Sequence, residues 1–169
     1  MIYYLIGMMA SGKTTTGMAL AHQLGYTFLD TDQLIETYKN EKIHQIINTE
    51  GIEAFRELER SIFLKINIPT DAIIACGGGI ILSEDNVKHM KTLGKAIYLK
   101  TSIPTLTKRL SNTNRNERPL LTDDWVYTLA NIYENRKALY EEIADYTVNC
   151  DDLTVDEVVQ EIIRIINQA

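Results

Sequence analysis

The sequence predicts an α/β protein, a three-layer α/β/α fold around a five-stranded parallel sheet. Short apolar runs alternate along the chain with segments of helical periodicity, as in proteins whose helices cover both faces of a parallel sheet. The run at 72–76 is apolar without interruption, which is typical of a strand buried on both faces. A glycine-rich stretch at 7–14 lies between an apolar run and a helical pattern. Ligands of such sheets bind beyond the carboxyl ends of the strands, so the functional residues are expected there.

Length and composition favour one soluble domain over residues 1–169. The 45% hydrophobic and 24% charged fractions are those of a globular protein, and no apolar run is long enough to span a bilayer. The opening lacks the pattern of a secretory signal, and the two cysteines form no disulfide framework. We therefore expect a cytoplasmic monomer with no membrane contact. The net charge of −6 argues against a nucleic-acid binder, which would need a broad basic face.

The first half of the chain contains two predicted strands and four predicted helices. The first apolar run precedes the glycine-rich stretch, and Gly25 closes the helix that follows, because glycine is favoured just past helix ends. A short apolar strand then ends at Asp30. The predicted strands are 2–6 and 26–29, and the predicted helices are 13–24, 33–38, 43–48 and 51–66.

The second half alternates strands and helices more regularly. Pro69 and Thr70 mark a turn before the apolar run at 72–76, which stops at three glycines. Gly94 ends the next helix, and Pro104 is tolerated in the first turn of the one after it. The predicted strands are 72–76, 96–99 and 146–149, and the predicted helices are 84–93, 103–110, about 123–144 and 155–166.

The glycine-rich stretch fits the phosphate-binding pattern G-x-x-x-x-G-K-[ST]. Its glycines let successive backbone N–H groups point at a phosphate, and the following helix adds its positive N-terminal dipole. Lys13 is expected to reach the β- and γ-phosphates, and the Thr14 hydroxyl to hold Mg²⁺. The alternative is a glycine-rich turn with an exposed lysine. The residues expected around the nucleotide phosphates are Met9, Ala10, Ser11, Gly12, Lys13, Thr14 and Thr15.

Two aspartates, Asp30 and Asp32, follow the second predicted strand, at the same edge as the phosphate loop. Carboxylates one residue apart on an extended segment point in different directions. One would face the metal and the other a substrate hydroxyl. The alternative is that Asp32 caps the helix beginning at Gln33.

Three consecutive glycines, Gly77-Gly78-Gly79, end the third predicted strand. Three glycines lose more backbone conformational entropy on folding than an ordinary turn would require. Their presence indicates that another group approaches this backbone closely. A carboxylate or hydroxyl held by the bare N–H groups fits, and a strained strand-to-helix turn is the alternative.

Two arginines occupy unusual helical positions. Arg56 lies at the edge of an apolar stripe, and Glu59 lies within that stripe, which predicts a rigid pair because an unpaired buried charge is costly. Arg136 interrupts the apolar face of the long helix near the end of the chain. Rigid arginines recognise a carboxylate with two hydrogen bonds, so both could hold one anion. The alternatives are a solvated Arg/Glu surface for Arg56 and a structural ion pair for Arg136.

A polar segment at about 111–121, with Arg115 and Arg118, joins two predicted helices and contains few apolar residues. It is interpreted as a mobile lid, whose closure would bring an arginine to the γ-phosphate and exclude water. An ordinary exposed loop is the alternative.

Together these residues resemble the shikimate kinase family, in the nucleoside monophosphate kinase-like group of phosphate-loop (P-loop) enzymes. The resemblance covers nearly the whole chain. The motifs that carry it are Gly-Met-Met-Ala-Ser-Gly-Lys-Thr at 7–14, Asp-Thr-Asp at 30–32, Phe-Arg-Glu-Leu-Glu at 55–59, the triple glycine at 77–79, Arg-Pro-Leu-Leu at 118–121, and Arg136 followed by Tyr140.

The resemblance implies Mg²⁺-dependent phosphorylation of the shikimate 3-hydroxyl by ATP, in the route to aromatic amino acids. It implies that Lys13 contacts the transferred phosphoryl group and that Thr14 and Asp30 hold Mg²⁺, Asp30 directly or through water. Asp32 would bind the reacting hydroxyl and act as its base or orienter. The helical segment at about 31–66 would form the acceptor site.

The remaining roles also follow from the resemblance. Arg118 would be the lid arginine and a catalytic residue with Lys13 and Asp32, and Arg109 is a candidate to stack on adenine. The chain departs from the family at Ala10, often glycine there, and at Cys76, often serine or threonine. Neither supplies an essential charge, so we expect at most a modest change in nucleotide affinity. The residues implied to hold the carboxylate and ring hydroxyls are Arg56, Glu59, Gly77, Gly78, Gly79 and Arg136.

Two other functions stay open from the residues alone. A related kinase for gluconate or a nucleoside monophosphate would share the loop and the lid, although the triple glycine with two arginines favours a small carboxylated polyol. The second is a nucleotide-dependent switch protein without phosphoryl transfer. Its GTPase form would need an Asn-Lys-x-Asp signature, which the sequence lacks.

Overall fold

The computed structural model describes residues 1–112 and 124–168, which form a five-stranded sheet flanked by α-helices. Every strand pairing is parallel, and helices lie on both faces, so the predicted α/β/α architecture is confirmed. The strands are β1 Ile2–Ile6, β2 Thr27–Asp30, β3 Ala72–Ala75, β4 Gly94–Lys100 and β5 Tyr146–Asn149. Their order across the sheet is β2-β3-β1-β4-β5.

Eight α-helices occur in the described parts of the chain. The first and fifth helices have the predicted bounds, as does strand β5. A 3₁₀ turn at Ile80–Leu82 follows the triple glycine. The helices are α1 Lys13–Leu24, α2 Thr31–Lys39, α3 Ile43–Glu50, α4 Ile52–Phe63, α5 Glu84–Leu93, α6 Ile103–Ser111, α7 Trp125–Ile143 and α8 Val155–Asn167.

Several predicted boundaries differ from the observed ones, most of them by one or two residues. Helix α2 begins two residues earlier than predicted, because Asp30 is its N-cap and accepts hydrogen bonds from the N–H groups of Asp32 (2.9 Å) and Gln33 (3.2 Å). Capping by Asp32 was therefore also wrong. Helix α4 ends at Phe63 instead of continuing to residue 66. Gly94 begins strand β4, where it pairs with Ile2 so closely that a Cβ would overlap the Ile2 carbonyl.

The sheet is buried on both faces. Successive strand residues contribute to different clusters: Tyr4 and Ile74 to one, Leu5 and Ile73 to the other. This alternation explains why the central strands are apolar throughout. Helix α7 packs on the first face, and α1 and α8 pack on the second.

Helices α2, α3 and α4 have a small core of their own, formed by Ile35, Ile46 and Phe55. This unit corresponds to the predicted acceptor segment at about 31–66. It lies next to the carboxyl end of β2, so it can form a wall for a ligand bound at that edge. None of the described helices has both the length and the apolar character needed to cross a membrane.

Candidate active site

The loop between β1 and α1 has the backbone conformation that its glycines predict. Gly7 and Gly12 have φ values of 147° and 95°, which side chains rarely adopt. A Cβ at Gly7 would also lie 2.9 Å from the Leu99 carbonyl oxygen. Ala10 has φ 61°, a left-handed conformation that costs a non-glycine residue about 1–2 kcal/mol. This conformation explains why glycine suits that position.

Lys13 follows the loop and is held by it. Its Nζ donates hydrogen bonds to the carbonyl oxygens of Gly7 (2.9 Å) and Met8 (2.7 Å). The positive charge therefore lies beside the backbone that is expected to surround a phosphate. Thr15 is exposed, and its hydroxyl donates to the Gly12 carbonyl oxygen (3.1 Å).

Asp30 joins the first turn of α1 to the start of α2. Its Oδ2 accepts a hydrogen bond from the Thr14 hydroxyl (2.6 Å), and its Oδ1 caps α2. Two hard oxygen donors this close together are the kind of group that Mg²⁺ uses beside a nucleotide, whose phosphates supply further ligands. The residues present therefore fit the predicted magnesium site.

A cavity of about 520 Å³, here called the loop cavity, lies beside the phosphate loop. Arg109 spans one side of it, donating to the carbonyl oxygens of Ala10 (3.1 Å) and Cys150 (3.5 Å). Arg109 thus ties the loop to the end of β5. The other lining residues are contributed by 9–16, Asp30, Asp32, Ala75, Cys76, Gly78, Leu153, Thr154, Val155 and Val158.

A second cavity of about 400 Å³, here called the arginine cavity, lies between the α2–α4 unit and α7. It brings together the two arginines that the sequence singled out, Arg56 and Arg136. The two cavities meet, since both are lined by Met9, Thr14, Asp30, Asp32 and Gly78.

The predicted pair of Arg56 and Glu59 is confirmed. The guanidinium donates to Glu59 Oε2 at 2.8 Å, and the Glu59 side chain is only 3% exposed. Burial raises the pKa of Glu59, and the charges of Arg56 and Arg136 oppose that rise. The alternative of a solvated helix surface is wrong, because the carboxylate is inside the protein and fixes the arginine.

Arg136 is 8% exposed and shares the buried face of α7 with Leu129, Tyr140 and Ile143, as predicted. Within residues 1–112 and 124–168, no salt bridge includes Arg136, so the alternative of a structural ion pair finds no support there. Two guanidiniums and one buried carboxylate leave this wall of the cavity with a net positive charge. Such a wall can bind an organic anion.

The triple glycine makes room for side chains of the site. A Cβ at Gly77 would lie 2.6 Å from Asp32 Oδ1 and 3.0 Å from Glu59 Oε1, and one at Gly79 would overlap the Arg56 guanidinium. The sequence predicts a close approach, and the structure shows that the approaching groups are the protein's own charged side chains. The alternative of a strained turn is wrong, because none of the three glycines has a positive φ.

Two hydroxyls that hold this segment were missed by sequence reasoning. Thr31 accepts a hydrogen bond from the Gly77 N–H (2.8 Å), and Tyr140 donates to the Gly78 carbonyl oxygen (2.6 Å). Only their positions in the sequence could have indicated them. Thr31 lies between Asp30 and Asp32, and Tyr140 lies one helical turn after Arg136. Further walls of the arginine cavity that were not predicted are Gln33, Glu36, Lys42, Ile43, His44, Ile47 and Phe55.

The predicted lid at about 111–121 falls almost entirely outside the described residues. Arg115 and Arg118 belong to that part of the chain, so their predicted roles are not addressed by the structure.

Comparison with known proteins identifies the family. A model of shikimate kinase matches residues 9–167. The chain belongs to the shikimate kinase family. It is 37% identical over 168 residues to a shikimate kinase of Vibrio vulnificus, covering 98% of this chain and 96% of that protein. It is 35% identical over 161 residues to one of Caldanaerobacter subterraneus, covering 95% and 92%.

Solved structures agree with this family. Shikimate kinase from Acinetobacter baumannii in complex with shikimate has a TM-score of 0.93 at 32% identity, covering 99% of this chain and 93% of that one. A deoxyadenosine kinase from M. mycoides with bound dATP has a TM-score of 0.62 at 18% identity and covers 99% and 100%, a likeness of fold alone. The protein is thus a kinase that phosphorylates shikimate with ATP, in the pathway to aromatic amino acids.

Proposed function

We propose that shikimate binds in the arginine cavity, that ATP binds in the loop cavity, and that phosphoryl transfer takes place where the two cavities meet. The observation that carries this proposal is the shared wall of Thr14, Asp30 and Asp32. A hydroxyl of a ligand in one cavity can there face a phosphate of a ligand in the other. The A. baumannii relative solved with shikimate supports the choice of acceptor.

The acceptor is oriented by its carboxylate. Arg56 and Arg136 would each donate charge-assisted hydrogen bonds to it, with Glu59 keeping Arg56 in place. Gly77, Gly78 and Gly79 would leave space for the ring and its hydroxyls. Fixing the carboxylate far from the reacting hydroxyl restricts rotation of the substrate, so positioning supplies much of the catalysis.

The nucleotide is held by the backbone of the phosphate loop, from Met9 to Thr15. Lys13 would exchange its contacts with the loop carbonyls for the β- and γ-phosphates. Thr14 and Asp30 would hold Mg²⁺, which would supply positive charge to neutralise the phosphates. Arg109, which already contacts the loop, would lie beside the base.

Asp32 is the proposed base or orienter for the 3-hydroxyl. The hydroxyl oxygen attacks the γ-phosphorus in line, the bond from that phosphorus to the bridging oxygen of ADP breaks, and the hydroxyl proton passes to the Asp32 carboxylate. Lys13 stabilises the charge that develops on the transferred group. A role for Arg118 in this step stays a prediction from the family resemblance.

A coupled assay of ADP release tests the proposal. With Mg²⁺ present, we expect turnover with shikimate and little or none with gluconate or nucleoside monophosphates, because the chain belongs to the shikimate kinase family. EDTA should abolish turnover, and added Mg²⁺ should restore it. Equal turnover with gluconate, or activity that EDTA does not affect, would contradict the acceptor or the metal assignment respectively.

We further propose one kinase domain over 1–169, with an acceptor segment at about 31–66 and a lid at about 111–121. A cytoplasmic monomer that binds neither nucleic acid nor membranes is our proposal, and two free thiols, Cys76 and Cys150, support the compartment and the net charge of −6 argues against nucleic acid. Light scattering coupled to gel filtration would test the monomer.

A further inference from the structure

The triple-glycine segment is held from two sides by buried hydroxyls. The Gly77 N–H donates to Thr31 Oγ1 (2.8 Å), and the Tyr140 hydroxyl donates to the Gly78 carbonyl oxygen (2.6 Å). Thr31 is 1% exposed and Tyr140 is fully buried. These bonds connect the segment to helices α2 and α7, which are distant in sequence. They therefore fix its position relative to both walls of the arginine cavity.

The same segment touches both halves of the site. A Cβ at Gly78 would lie 3.5 Å from the Gly7 carbonyl oxygen and 3.7 Å from the Met9 nitrogen, both in the phosphate loop, and 3.6 Å from a terminal guanidinium nitrogen of Arg136. Gly79 packs directly against the Arg56 guanidinium. The segment is therefore in a position to influence both arginines and the phosphate loop.

Packing of the Tyr140 ring fixes the position of its hydroxyl. Its ring stacks on Tyr98, with centroids 5.1 Å apart and an interplanar angle of 19°. Burial raises the pKa of Tyr140 to about 12, and the charge of Arg136 and a hydrogen bond with Arg136 oppose that rise, so the hydroxyl keeps its proton and remains a donor at neutral pH. The Tyr98 hydroxyl, by contrast, is buried and makes no hydrogen bond with the described residues.

We propose that the hydroxyls of Thr31 and Tyr140 are positioning groups for shikimate: both act on Arg56 and Arg136 through Gly77-Gly78-Gly79, and Tyr140 also acts on Arg136 directly. Neither Thr31 nor Tyr140 lines the arginine cavity, so each would act without touching the substrate. This inference rests on the proposed binding of the shikimate carboxylate by the two arginines, and it adds that the glycine segment must be held for those arginines to be correctly placed.

Tyr140→Phe is the main test, with Tyr98→Phe as the matched control. Each removes one buried hydroxyl and keeps the ring stack, but only the first leaves the Gly78 carbonyl without its donor. For Tyr140→Phe we expect the KM for shikimate to rise about tenfold, with kcat and the KM for ATP changed less than about threefold. Tyr98→Phe should leave all three close to the wild-type values.

A merely structural role predicts a different pattern. If Tyr140 only stabilised the fold, the variant would melt at a lower temperature and contain less active enzyme, which lowers the apparent kcat but not the KM for shikimate. Assays should therefore be run well below the lowest melting temperature of the set. An unchanged KM for shikimate, or equal increases in both KM values, would overturn the inference.

Thr31 supplies a second test that does not depend on the Tyr140 variant. Thr31→Val removes the acceptor of the Gly77 N–H at nearly constant volume, whereas Thr31→Ser retains a hydroxyl. We expect the KM for shikimate to rise several-fold in the valine variant and to stay near the wild-type value in the serine variant. Equal behaviour of the two variants would exclude a role for the hydroxyl.

Arg136→Lys separates failure of this inference from failure of the proposed function. If Arg136→Lys does not change the KM for shikimate, the proposed carboxylate site is wrong. If it raises that KM while Tyr140→Phe does not, only the positioning role is wrong. If both act as proposed, the double variant should show less than the product of the two increases, because Tyr140 acts through Arg136.

Discussion

The loop cavity and the arginine cavity are built in opposite ways. The loop cavity draws eight of its lining residues from one continuous stretch, Met9 to Thr16. The arginine cavity draws its charged groups from α2, α4, the triple glycine and α7, which are far apart in sequence. A phosphate site can thus be specified by local backbone conformation, whereas the acceptor site requires the whole fold to bring separate side chains together.

The two cavities also differ in how their charges are stabilised. Lys13 is held by backbone carbonyls of its own loop, those of Gly7 and Met8. Arg56 is held by Glu59, a carboxylate with almost no exposure to water. The arginine cavity should therefore be the more sensitive of the two to pH and to loss of a counter-charge.

The largest effect is expected for Lys13→Ala, in the loop cavity. Removing a cation that stabilises charge on the transferred phosphoryl group should lower kcat by roughly 10²–10³-fold, with a smaller change in the KM for shikimate. Lys108→Ala is a suitable control, because that lysine is exposed on α6. Steady-state kinetics with both substrates varied would measure it, and a kcat within a few-fold of wild type would contradict the role of Lys13.

Arg136→Ala should raise the KM for shikimate by roughly 10–100-fold, the loss expected for hydrogen bonds to a charged group, and should change the KM for ATP far less. Lys137→Ala is the matched control, since Lys137 is the neighbouring cation but pairs with Glu134 on the surface. Equal increases in both KM values would remove the distinction between the two cavities.

The KM for shikimate should rise at low pH, in an acid limb that reflects protonation of Glu59. As pH falls through the raised pKa of Glu59, the carboxylate is protonated and its ion pair with Arg56 weakens, so KM should rise by roughly fivefold. This limb should lie above the usual pKa range of glutamate and disappear in Glu59→Gln. In Glu57→Gln it should persist, because Arg60 lowers the pKa of that exposed residue.

The same shift gives a stability prediction of defined sign. Folded protein binds the Glu59 proton more readily than unfolded protein does, so the free energy of unfolding should decrease as pH rises from the usual glutamate range through the raised pKa. Denaturant titrations across that interval, compared between wild type and Glu59→Gln, would measure it. If the free energy of unfolding of the wild type, relative to that of Glu59→Gln, increased as pH rises, the pKa of Glu59 would have to be lowered in the folded protein.

The smallest effect is expected for Ala10→Gly. It relieves the left-handed conformation of Ala10 and should stabilise the protein by about 1 kcal/mol, or roughly 2–4 °C in melting temperature. Ala19→Gly, in the interior of α1, should have the opposite sign, with a loss of up to about 1 kcal/mol. If both variants shift the melting temperature in the same direction, the backbone strain assigned to Ala10 is not present.

Much of the fold could be predicted because its signals are local. Gly12 and Gly25 bound α1, and both adopt left-handed conformations there, so the predicted helix coincides with the observed one. The sequence predicts too late a start for α2, because either Asp30 or Asp32 could be its N-cap. Only the folded chain shows that Asp30 takes that position. The periodicity of α7 predicted the inward direction of Arg136 because burial on a helix follows the 3.6-residue repeat.

The arginine cavity was predicted less completely, for a physical reason. Arg56, Glu59 and Arg136 were identifiable because charged residues on buried faces are unusual. Gln33 and His44 carry no such signal, since ordinary polar residues become part of a cavity only when α2 and α3 pack against each other. Likewise, Leu153 and Val158 reach the loop cavity only because β5 lies at the edge next to β4.

The three glycines offer unequal opportunities for redesign. Side chains at 77 and 79 would collide with Asp32 or Arg56, so neither position can change without disturbing the machinery of the site. A methyl group at 78 would meet its nearest neighbours at 3.5–3.6 Å, an ordinary van der Waals distance. Gly78 is thus the position where engineering could reduce the room for bulky acceptors while leaving the charged groups intact.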